Sequence, residues 1–456
     1  MQLIITNPAT GQEITKIDSD NMLTISQKYD NLKFGQKNWA KVPLEKRIEI
    51  IIKFAQLLKE KESDLASILT SEVGKPIQQS INEINGGIAR INWLCENATK
   101  YLADETMSQQ PGMTEKIVYE PIGVVCNISA WNYPYLVGIN VIIPALLAGN
   151  SVAYKPSEFA SLTGLQIKKI LIEAGIPENV FEIIIGKGNV GAGLLELPFD
   201  GYFFTGSYNT GNYIYQKVAT KMVPCQLELG GKDPLYVTDN VEDIKNIAAG
   251  TADGAFYNNG QSCCAVERIY VHESVYDEYV KYFVDEVKSW KMGSPTEAGV
   301  YIGALTREAQ IEVLERQVKN ALNNGATLLC GGKKVEKEGN YFEPTVIINV
   351  KNDMDLMQEE SFGPIIGIMK VSSDEEAIQL MNDTKYGLTA SVYSKSQERA
   401  NNILSQINSG TGYWNCCDRV SAALPWSGRK HSGFGATLSH AGIRAFTKPK
   451  AFHLRG

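Results

Sequence analysis

The chain has 456 residues, of which 44% are apolar and 21% are charged, with a formal net charge of −7 and a pI near 5.4. This composition is typical of a globular protein long enough for two or three domains, and it excludes an electrostatic footprint for nucleic acid or an anionic membrane. The expected ligands are therefore small molecules.

No targeting or metal-binding pattern is visible. The first residues lack a basic region and a small-residue cleavage site, so we expect a cytoplasmic location. The most apolar stretch, 137–149, is interrupted by Asn140 and Pro144 and is too short to span a bilayer, which predicts a buried helix. The 8 cysteines form no C-x-x-C pair and the 4 histidines lack zinc-ligand spacing, so reduced thiols and no metal are expected.

The order of predicted elements indicates an α/β fold. Residues 22–103 carry helical periodicity, clearest at 44–70, where Pro43 suits a helix start and Gly74-Lys75-Pro76 an end. Strands then alternate with helices, at 122–128, 134–148, 151–154, 161–174, 180–185, 188–195, 201–204 and 208–219. A second series has a strand at 234–238, a helix at 241–256 and a strand at 268–272. This alternation predicts parallel sheets of the doubly wound type.

Two glycine-containing segments suggest a nucleophile and its base. Cys263 lies in Asn-Asn-Gly-Gln-Ser-Cys-Cys-Ala (258–265), and Glu228 lies in Leu-Glu-Leu-Gly-Gly-Lys (227–232). A thiol is strongly nucleophilic only as thiolate, and a nearby carboxylate can take a proton from the thiol or from an attacking water. A lone Cys is more often a small buried hydrophobe. The other motifs along the chain favour the catalytic interpretation.

These two segments resemble the glutamate and cysteine motifs of the aldehyde dehydrogenase superfamily. Further segments resemble family signatures in family order, at 7–11, 121–124, 131–134, 144–150, 155–158, 204–207 and 359–364. The resemblance covers essentially the whole chain, and an ordered set of motifs has a very low chance of arising by accident.

The resemblance implies an α/β, aldehyde dehydrogenase-like architecture in three parts. A Rossmann-type NAD-binding domain would span 1–228, a catalytic α/β domain 229–444, and a C-terminal oligomerisation strand 445–456. A hairpin near 104–121 would complete a small β element for assembly, and the alternation of polar with apolar residues at 115–120 agrees with a half-exposed edge strand. A homodimer or homotetramer is expected; a capped edge in a monomer is the alternative.

The resemblance also implies an NAD cofactor and a set of residues that contact it. Gly206, Ser207 and Gly211 would face the pyrophosphate, at a turn that opens a helix. Lys155 and Glu158 would bind the adenosine ribose, and the Glu158 carboxylate would repel a 2′-phosphate, so NAD should be preferred over NADP. Glu360 would hold the nicotinamide ribose, Phe362 would pack beside the nicotinamide ring, and Trp131 would lie against the pyrophosphate. Core packing is the alternative for Phe362 and Trp131.

The implied chemistry oxidises an aldehyde to an acid. Cys263 would attack the aldehyde carbon, and Asn132 with the Cys263 amide would bind the oxyanion. Hydride would pass to nicotinamide, and Glu228 would activate the water that hydrolyses the thioester. Cys264 is interpreted as pocket wall because the motif places the nucleophile directly after Gly-Gln-x. Two alternatives are disfavoured. The CoA-acylating branch of the family does without the glutamate, whereas Glu228 is present here. A non-catalytic scaffold of the same fold would have lost Cys263, Glu228 or Asn132, and all three are present.

The substrate pocket is expected to have mixed aromatic character. Its predicted residues are Tyr133, Val137, Asn140, Tyr257, Cys264, Arg419, Val420 and Trp426. Relatives that oxidise carboxylated semialdehydes, such as succinate semialdehyde, usually carry Arg where this chain has Asn140 and Tyr257. A neutral aldehyde of medium size is therefore expected. Arg419, at the pocket mouth, keeps the carboxylated-semialdehyde alternative open.

Overall fold

The computed structural model describes residues 2–456. Its N-terminal part consists of the antiparallel pair β1 (Gln2–Thr6) and β2 (Glu13–Asp18) and the helices α1 (Met22–Trp39), α2 (Leu44–Glu60), α3 (Glu62–Val73) and α4 (Ile77–Leu102). Pro43 begins α2 and Gly74, with φ +82°, ends α3 as predicted, but the helix expected at 44–70 breaks at Lys61. Lys61 has a non-helical ψ of 9°, so α2 and α3 are separate helices.

The first parallel sheet follows a hairpin. The elements in chain order are β3 (Glu105–Gln110), β4 (Met113–Pro121), β5 (Val124–Ile128), α5 (Pro134–Leu147), β6 (Ser151–Lys155), α6 (Ser161–Ala174), β7 (Phe181–Ile183), α7 (Gly188–Leu194), β8 (Gly201–Thr205), α8 (Tyr208–Ala219) and β9 (Cys225–Glu228). The sheet order is β9-β8-β5-β6-β7, with every neighbouring pair parallel. The order reverses between β5 and β8, and such a switch point opens a crevice at the carboxyl ends of the strands.

The second sheet is built from the middle of the chain. Its region contains β10 (Asp233–Val237), α9 (Ile244–Phe256), β11 (Val266–His272), α10 (Glu273–Ser289), β12 (Lys291–Met292), β13 (Val300–Ile302), α11 (Ala309–Asn323), β14 (Thr327–Cys330), β15 (Thr345–Ile348), α12 (Asp355–Gln358), β16 (Ile365–Val371), α13 (Asp374–Asn382), β17 (Thr389–Tyr393), α14 (Gln397–Ser405) and β18 (Thr411–Trp414). Seven strands pair in the order β14-β15-β16-β11-β10-β17-β18. Only the β14 and β15 edge is antiparallel, so the predicted parallel α/β series is confirmed.

The C-terminal part returns to the first sheet. It consists of β19 (Gly433–Phe434), α15 (Ser439–Arg444) and β20 (Thr447–Arg455). Because β19 pairs with β9 and Ile443 is buried in the core of the first sheet, the chain leaves the second sheet before the predicted boundary at 444. The predicted hairpin at 104–121 is confirmed as β3 and β4, and β20 pairs with β4 to form an antiparallel sheet in the order β20-β4-β3.

The segment at 137–149 is a buried helix, as predicted. It forms most of α5, which packs against α4 and the first sheet, and Ile139, Ile142 and Leu146 are almost completely buried. No helix within residues 2–456 is both long enough and apolar enough to cross a membrane.

Candidate active site

Three connected cavities follow the cleft between the two sheets. An outer cavity of about 430 Å³ lies at the carboxyl ends of β5 and β6, where Lys155 and Glu158 line it. It shares Trp131 and Gly206 with a middle cavity of about 490 Å³. The middle cavity in turn shares Glu228 and Cys263 with an inner cavity of about 360 Å³. The predicted nucleophile and base therefore lie where two binding spaces meet.

The loop that carries Cys263 is fixed by an unusual backbone. Asn258, Asn259 and Gly260 have φ values of +54°, +57° and +70°, a conformation that only Gly and, less often, Asn adopt readily. Asn259 donates from Nδ2 to the Ala304 carbonyl (3.0 Å) and accepts from the Gly303 N–H (2.8 Å). A Cβ added at Gly260 would lie 2.3 Å from the Gly363 carbonyl oxygen. The sharp turn thus holds Cys263 at one position between α9 and β11.

Asn132 is held by a buried ion pair. The Lys75 ammonium donates to the Glu83 carboxylate and to the Asn132 carbonyl (2.8 Å), and both charged side chains are fully buried. Glu83 also accepts from the N–H of Tyr135, in the first turn of α5. The Asn132 side chain donates from Nδ2 to the Gln261 carbonyl (3.1 Å), two residues before Cys263. These contacts fix the Asn132 amide beside the cysteine loop.

Glu228 is the last residue of β9, and its surroundings favour the protonated form. Burial raises the pKa of Glu228 to about 7, while a hydrogen bond from the Thr437 hydroxyl and the Arg90 charge act in the opposite direction. The Glu228 carbonyl accepts the Gly206 N–H (3.0 Å), which ties it to the turn after β8. A carboxylate with a pKa near neutrality is well matched to general-base catalysis at neutral pH.

Cys264 has different surroundings from Cys263. Its thiol donates to the Asp418 carboxylate (3.0 Å) and lies 3.4 Å from the Ser262 hydroxyl. A hydrogen bond with Cys263, burial and the Asp418 charge raise the pKa of Cys264 well above its ordinary value. The thiolate of Cys264 is therefore strongly disfavoured, which agrees with its interpretation as pocket wall.

All of the predicted pocket residues line the inner cavity. They are Tyr133, Val137, Asn140, Tyr257, Cys264, Arg419, Val420 and Trp426. The cavity also contains Arg90, on α4, whose Nη1 donates to Asn140 Oδ1 (2.9 Å). Asn140 and Tyr257 do stand where some relatives carry Arg, but the pocket nevertheless contains an arginine that the sequence analysis did not anticipate. Asp253, Asp418 and Arg419 line both the inner cavity and an adjoining cavity of about 660 Å³, so they form its mouth.

Comparison with known proteins agrees with this geometry. The family model described as "Aldehyde dehydrogenase family" matches residues 2–452. The chain belongs to the aldehyde dehydrogenase family. It is an NAD(P)-dependent enzyme that oxidises an aldehyde to a carboxylic acid.

Curated relatives and solved structures are similar over nearly the whole enzyme. It is 36% identical to aminoaldehyde dehydrogenase 1 of Pisum sativum, over 97% of this chain and 90% of that protein. It is 35% identical to the chloroplastic betaine aldehyde dehydrogenase of Amaranthus hypochondriacus, over 98% of this chain and 91% of that protein. A solved indole-3-acetaldehyde dehydrogenase complexed with NAD+ superposes with a TM-score of 0.97 at 31% identity, covering 100% of this chain and 93% of that one. An E. coli NADP-dependent enzyme superposes with a TM-score of 0.97 at 28% identity, covering 100% and 95%.

The outer and middle cavities of the enzyme fit a dinucleotide. Lys155 is buried at the end of β6, and among residues 2–456 its ammonium has one hydrogen-bond partner, the Pro156 carbonyl (3.2 Å). An ammonium has three donors, so this amine suits a ligand rich in hydroxyl or phosphate oxygens. Arg307 lines both cavities and adds a positive charge where they join.

The other predicted cofactor residues occupy this cleft, with one exception. Trp131, Gly206, Ser207, Glu360 and Phe362 line the middle cavity, and the rings of Trp131 and Phe362 form an edge contact at 5.4 Å. Gly211 lines neither cavity. It lies inside α8, where an added Cβ would be 2.5 Å from Leu229, so its absent side chain permits helix packing. The Glu360 carboxylate accepts the Gly231 N–H (3.0 Å).

Arg90, Asp253, Arg307, Asp418 and Thr437 are among the site residues that sequence reasoning missed. Arg90 had a signal, because it lies seven residues after Glu83 on α4 and so shares the inward face of that helix. Asp418 and Thr437 lie in irregular segments with no periodicity to interpret. Asp418 has φ +47°, and Leu438, which follows Thr437, has φ +59°. Because neither residue is a glycine, the sequence does not indicate these left-handed conformations.

Proposed function

We propose that this enzyme is a hydrolytic aldehyde dehydrogenase in which Cys263 is the nucleophile, Glu228 the general base and Asn132 an oxyanion donor. The observation that supports this assignment is the position of Cys263 and Glu228 at the junction of the middle and inner cavities. A cofactor in the cleft and an aldehyde in the inner cavity would meet only there.

The chemistry assigned to the residues has two stages. The Cys263 sulfur bonds to the aldehyde carbon, and the Asn132 amide and the Cys263 N–H donate to the oxygen that becomes negative. When bound, NAD(P) supplies the acceptor for the hydride, whose loss leaves a thioester on Cys263. Glu228 then takes a proton from a water that attacks the thioester carbon. The C–S bond breaks, the carboxylic acid leaves, and the sulfur of Cys263 is restored as thiolate.

Substitution of the two neighbouring cysteines tests the choice of nucleophile. Cys263→Ala should abolish aldehyde oxidation. Cys264→Ala should retain it, since the hydrogen bond with Cys263, burial and the Asp418 charge raise the pKa of Cys264 and keep its thiol protonated. Reduced cofactor is followed by absorbance. Turnover that survives in the Cys263 variant would refute the assignment.

Separate measurement of the two stages tests Glu228. Glu228→Gln should slow thioester hydrolysis by on the order of 10²-fold or more, because a general base is lost. The single-turnover burst of reduced cofactor should survive, because acylation does not need the base. If the burst disappears as completely as in Cys263→Ala, Glu228 activates the thiol instead.

We propose that the cofactor is NAD, with NADP used less well. In this proposal Lys155 and Glu158 bind the adenosine ribose, Gly206 and Ser207 face the pyrophosphate with Trp131, and Glu360 with Phe362 holds the nicotinamide end. Support comes from Glu158, which lines the outer cavity with Lys155, because a carboxylate there accepts ribose hydroxyls and repels a 2′-phosphate.

We propose that the substrate is a neutral aldehyde of medium size. The reason differs from the sequence-based one, because the inner cavity does contain an arginine. The Arg90 charge is opposed mainly by Glu228, and Arg419 lies beside Asp418 at the mouth. Because each cation already has a carboxyl group beside it, a carboxylated substrate gains no unpaired cation and loses hydration on entry.

An aminoaldehyde is the second candidate. The relatives from Pisum sativum and Amaranthus hypochondriacus are named for aminoaldehyde and betaine aldehyde, and Asp253 and Asp418 at the mouth could bind a cationic end. Values of kcat/KM for neutral, amino and carboxylated aldehydes of equal length decide between the candidates. A preference for the amino substrate that is lost in Asp418→Asn would favour the second. A preference for succinate semialdehyde that is lost in Arg90→Gln or Arg419→Ala would instead establish a semialdehyde dehydrogenase.

We also propose that the enzyme assembles as a homodimer or homotetramer through the three-stranded sheet. Support comes from β20, an edge strand with mostly exposed side chains whose outer backbone groups can pair with another copy. Sedimentation velocity over a range of protein concentrations measures the assembly; a monomer at all concentrations would contradict it. The domain limits 1–228, 229–444 and 445–456 and the cytoplasmic location stay predictions.

A further inference from the structure

The side chain of Thr437 has one hydrogen-bond partner, and that partner is the Glu228 carboxylate. Thr437 is almost completely buried, and its hydroxyl donates to Glu228 Oε1. Within residues 2–456 no other side-chain hydrogen bond of Thr437 is found, so the hydroxyl contributes its hydrogen bond at the proposed base and nowhere else.

The backbone of Thr437 is fixed independently of that side chain. Its N–H donates to the Trp426 carbonyl (3.0 Å) and its carbonyl accepts the Trp426 N–H (2.8 Å). The next two residues, Leu438 and Ser439, have φ values of +59° and +53°. A Cβ at Gly442 would lie 2.6 Å from the Thr437 carbonyl carbon, so the following helix packs directly against this residue. The hydroxyl is therefore presented to Glu228 by a rigid segment.

We propose that Thr437 is the positioning residue of the general base: its hydroxyl holds Glu228 in one orientation at the junction of the two cavities and stabilises the carboxylate. This inference rests on the proposed role of Glu228. It assigns to the loop between β19 and α15 a part in the hydrolysis of the thioester, and none in its formation.

The physical effect has two parts. A donated hydrogen bond favours the ionised carboxylate, which is the form that can accept a proton from water. The same bond restricts the rotamers of a buried Glu, on which the Arg90 charge is the other stabilising influence. Removal of the hydroxyl should therefore both reduce the ionised fraction and loosen the base, without altering Cys263.

Thr437→Val tests this proposal, because valine keeps the shape and the backbone pairing with Trp426 but lacks the hydroxyl. Turnover after the burst is measured as a function of pH. Its acid limb should move to higher pH by about one pH unit, the effect of one hydrogen bond to a charged group. At neutral pH turnover should fall by about fivefold, since fewer Glu228 carboxylates are ionised. The burst should be unchanged, and Thr437→Ser should restore the wild-type profile.

Thr389→Val is the matched control. Thr389 makes the same kind of buried hydrogen bond, to the Asp233 carboxylate (2.6 Å), away from the three cavities of the cleft. Thr389→Val should therefore leave the pH profile of turnover unchanged, even if the substitution lowers thermal stability. A profile that moves equally in both variants would overturn the proposal, because the effect would then be general.

A double-mutant cycle separates this inference from the proposed function. In the Glu228→Gln background, Thr437→Val should cause no further loss of turnover. Independent losses that multiply would overturn the positioning role while leaving Glu228 as the base. If Glu228→Gln itself does not slow hydrolysis, the proposed general-base role of Glu228 is refuted, and the role of Thr437 is refuted with it. Should the valine variant not fold, Thr437→Ala in the same cycle gives the same decision.

Discussion

Replacement of Gly260 by alanine is the most direct test of how the cysteine loop is held. Gly260 has φ +70°, and an added Cβ would lie 2.3 Å from the Gly363 carbonyl oxygen and 3.2 Å from the Ala255 carbonyl oxygen. Gly363 has little room to retreat, because a Cβ on Gly363 would itself lie 2.6 Å from the Leu314 side chain. The strain must therefore be relieved by movement of the loop that ends at Cys263.

Two contributions set the magnitude. A left-handed conformation costs alanine about 1–2 kcal/mol, and overpacking adds about 1–3 kcal/mol, so unfolding should become easier by about 2–5 kcal/mol. A displacement of about 1 Å at a reacting atom can lower the rate by on the order of 10²-fold. Gly299 provides the control, because its φ is +75° and no atom lies within 4 Å of an added Cβ. Gly299→Ala should show only the conformational cost, with activity close to that of the wild type.

Urea denaturation and kcat/KM for one aldehyde measure the two effects on both variants. Equal losses of unfolding free energy in Gly260→Ala and Gly299→Ala would mean that the close contact between the added Cβ and the Gly363 carbonyl oxygen does not destabilise the fold. Wild-type activity in Gly260→Ala would refute the view that this contact positions Cys263.

Three further predictions concern charged groups, two of them in the cleft and one in the buried pair behind Asn132. Burial raises the pKa of Glu228 to about 7, and the base acts only when deprotonated, so turnover after the burst should fall as pH decreases through about 7; a profile flat through neutral pH would contradict this. Glu158→Gln should raise the ratio of kcat/KM with NADP to that with NAD by about tenfold, the factor for 1.4 kcal/mol, and an unchanged ratio would remove Glu158 from the ribose site. Lys75→Met leaves Glu83 buried without its cation and should lower the unfolding free energy by about 3–5 kcal/mol in urea denaturation, and Glu83→Gln in the same chain should recover part of it; a loss below about 1 kcal/mol would show that the pair is dispensable.

Most of the fold could be predicted because its elements carry local signals. The alternation of β-branched runs with amphipathic helices after residue 122 predicts both parallel series, and the structure confirms their order. The break at Lys61 and the early return of residues 433–446 to the first sheet were not predicted. The return depends on pairing of β19 with β9, far away in the chain, which leaves no periodic pattern in either segment. The break at Lys61 is a change of backbone angle at a single residue, which the apolar periodicity of 44–70 does not indicate.

The sequence by itself was enough to propose the reactive residues, because Cys263, Glu228 and Asn132 lie in motifs whose glycines and neighbours are specific. It also predicted eight residues that line the inner cavity, although Arg90, Asp253 and Asp418 were not among them. Only the tertiary structure shows which charged and hydrogen-bonding groups surround Glu228. Arg90 and Thr437 come from segments far apart in the chain. Burial raises the pKa of Glu228, and the Thr437 hydrogen bond and the Arg90 charge lower it. Burial and the distance between charges are properties of the assembled cleft, and no local segment encodes them.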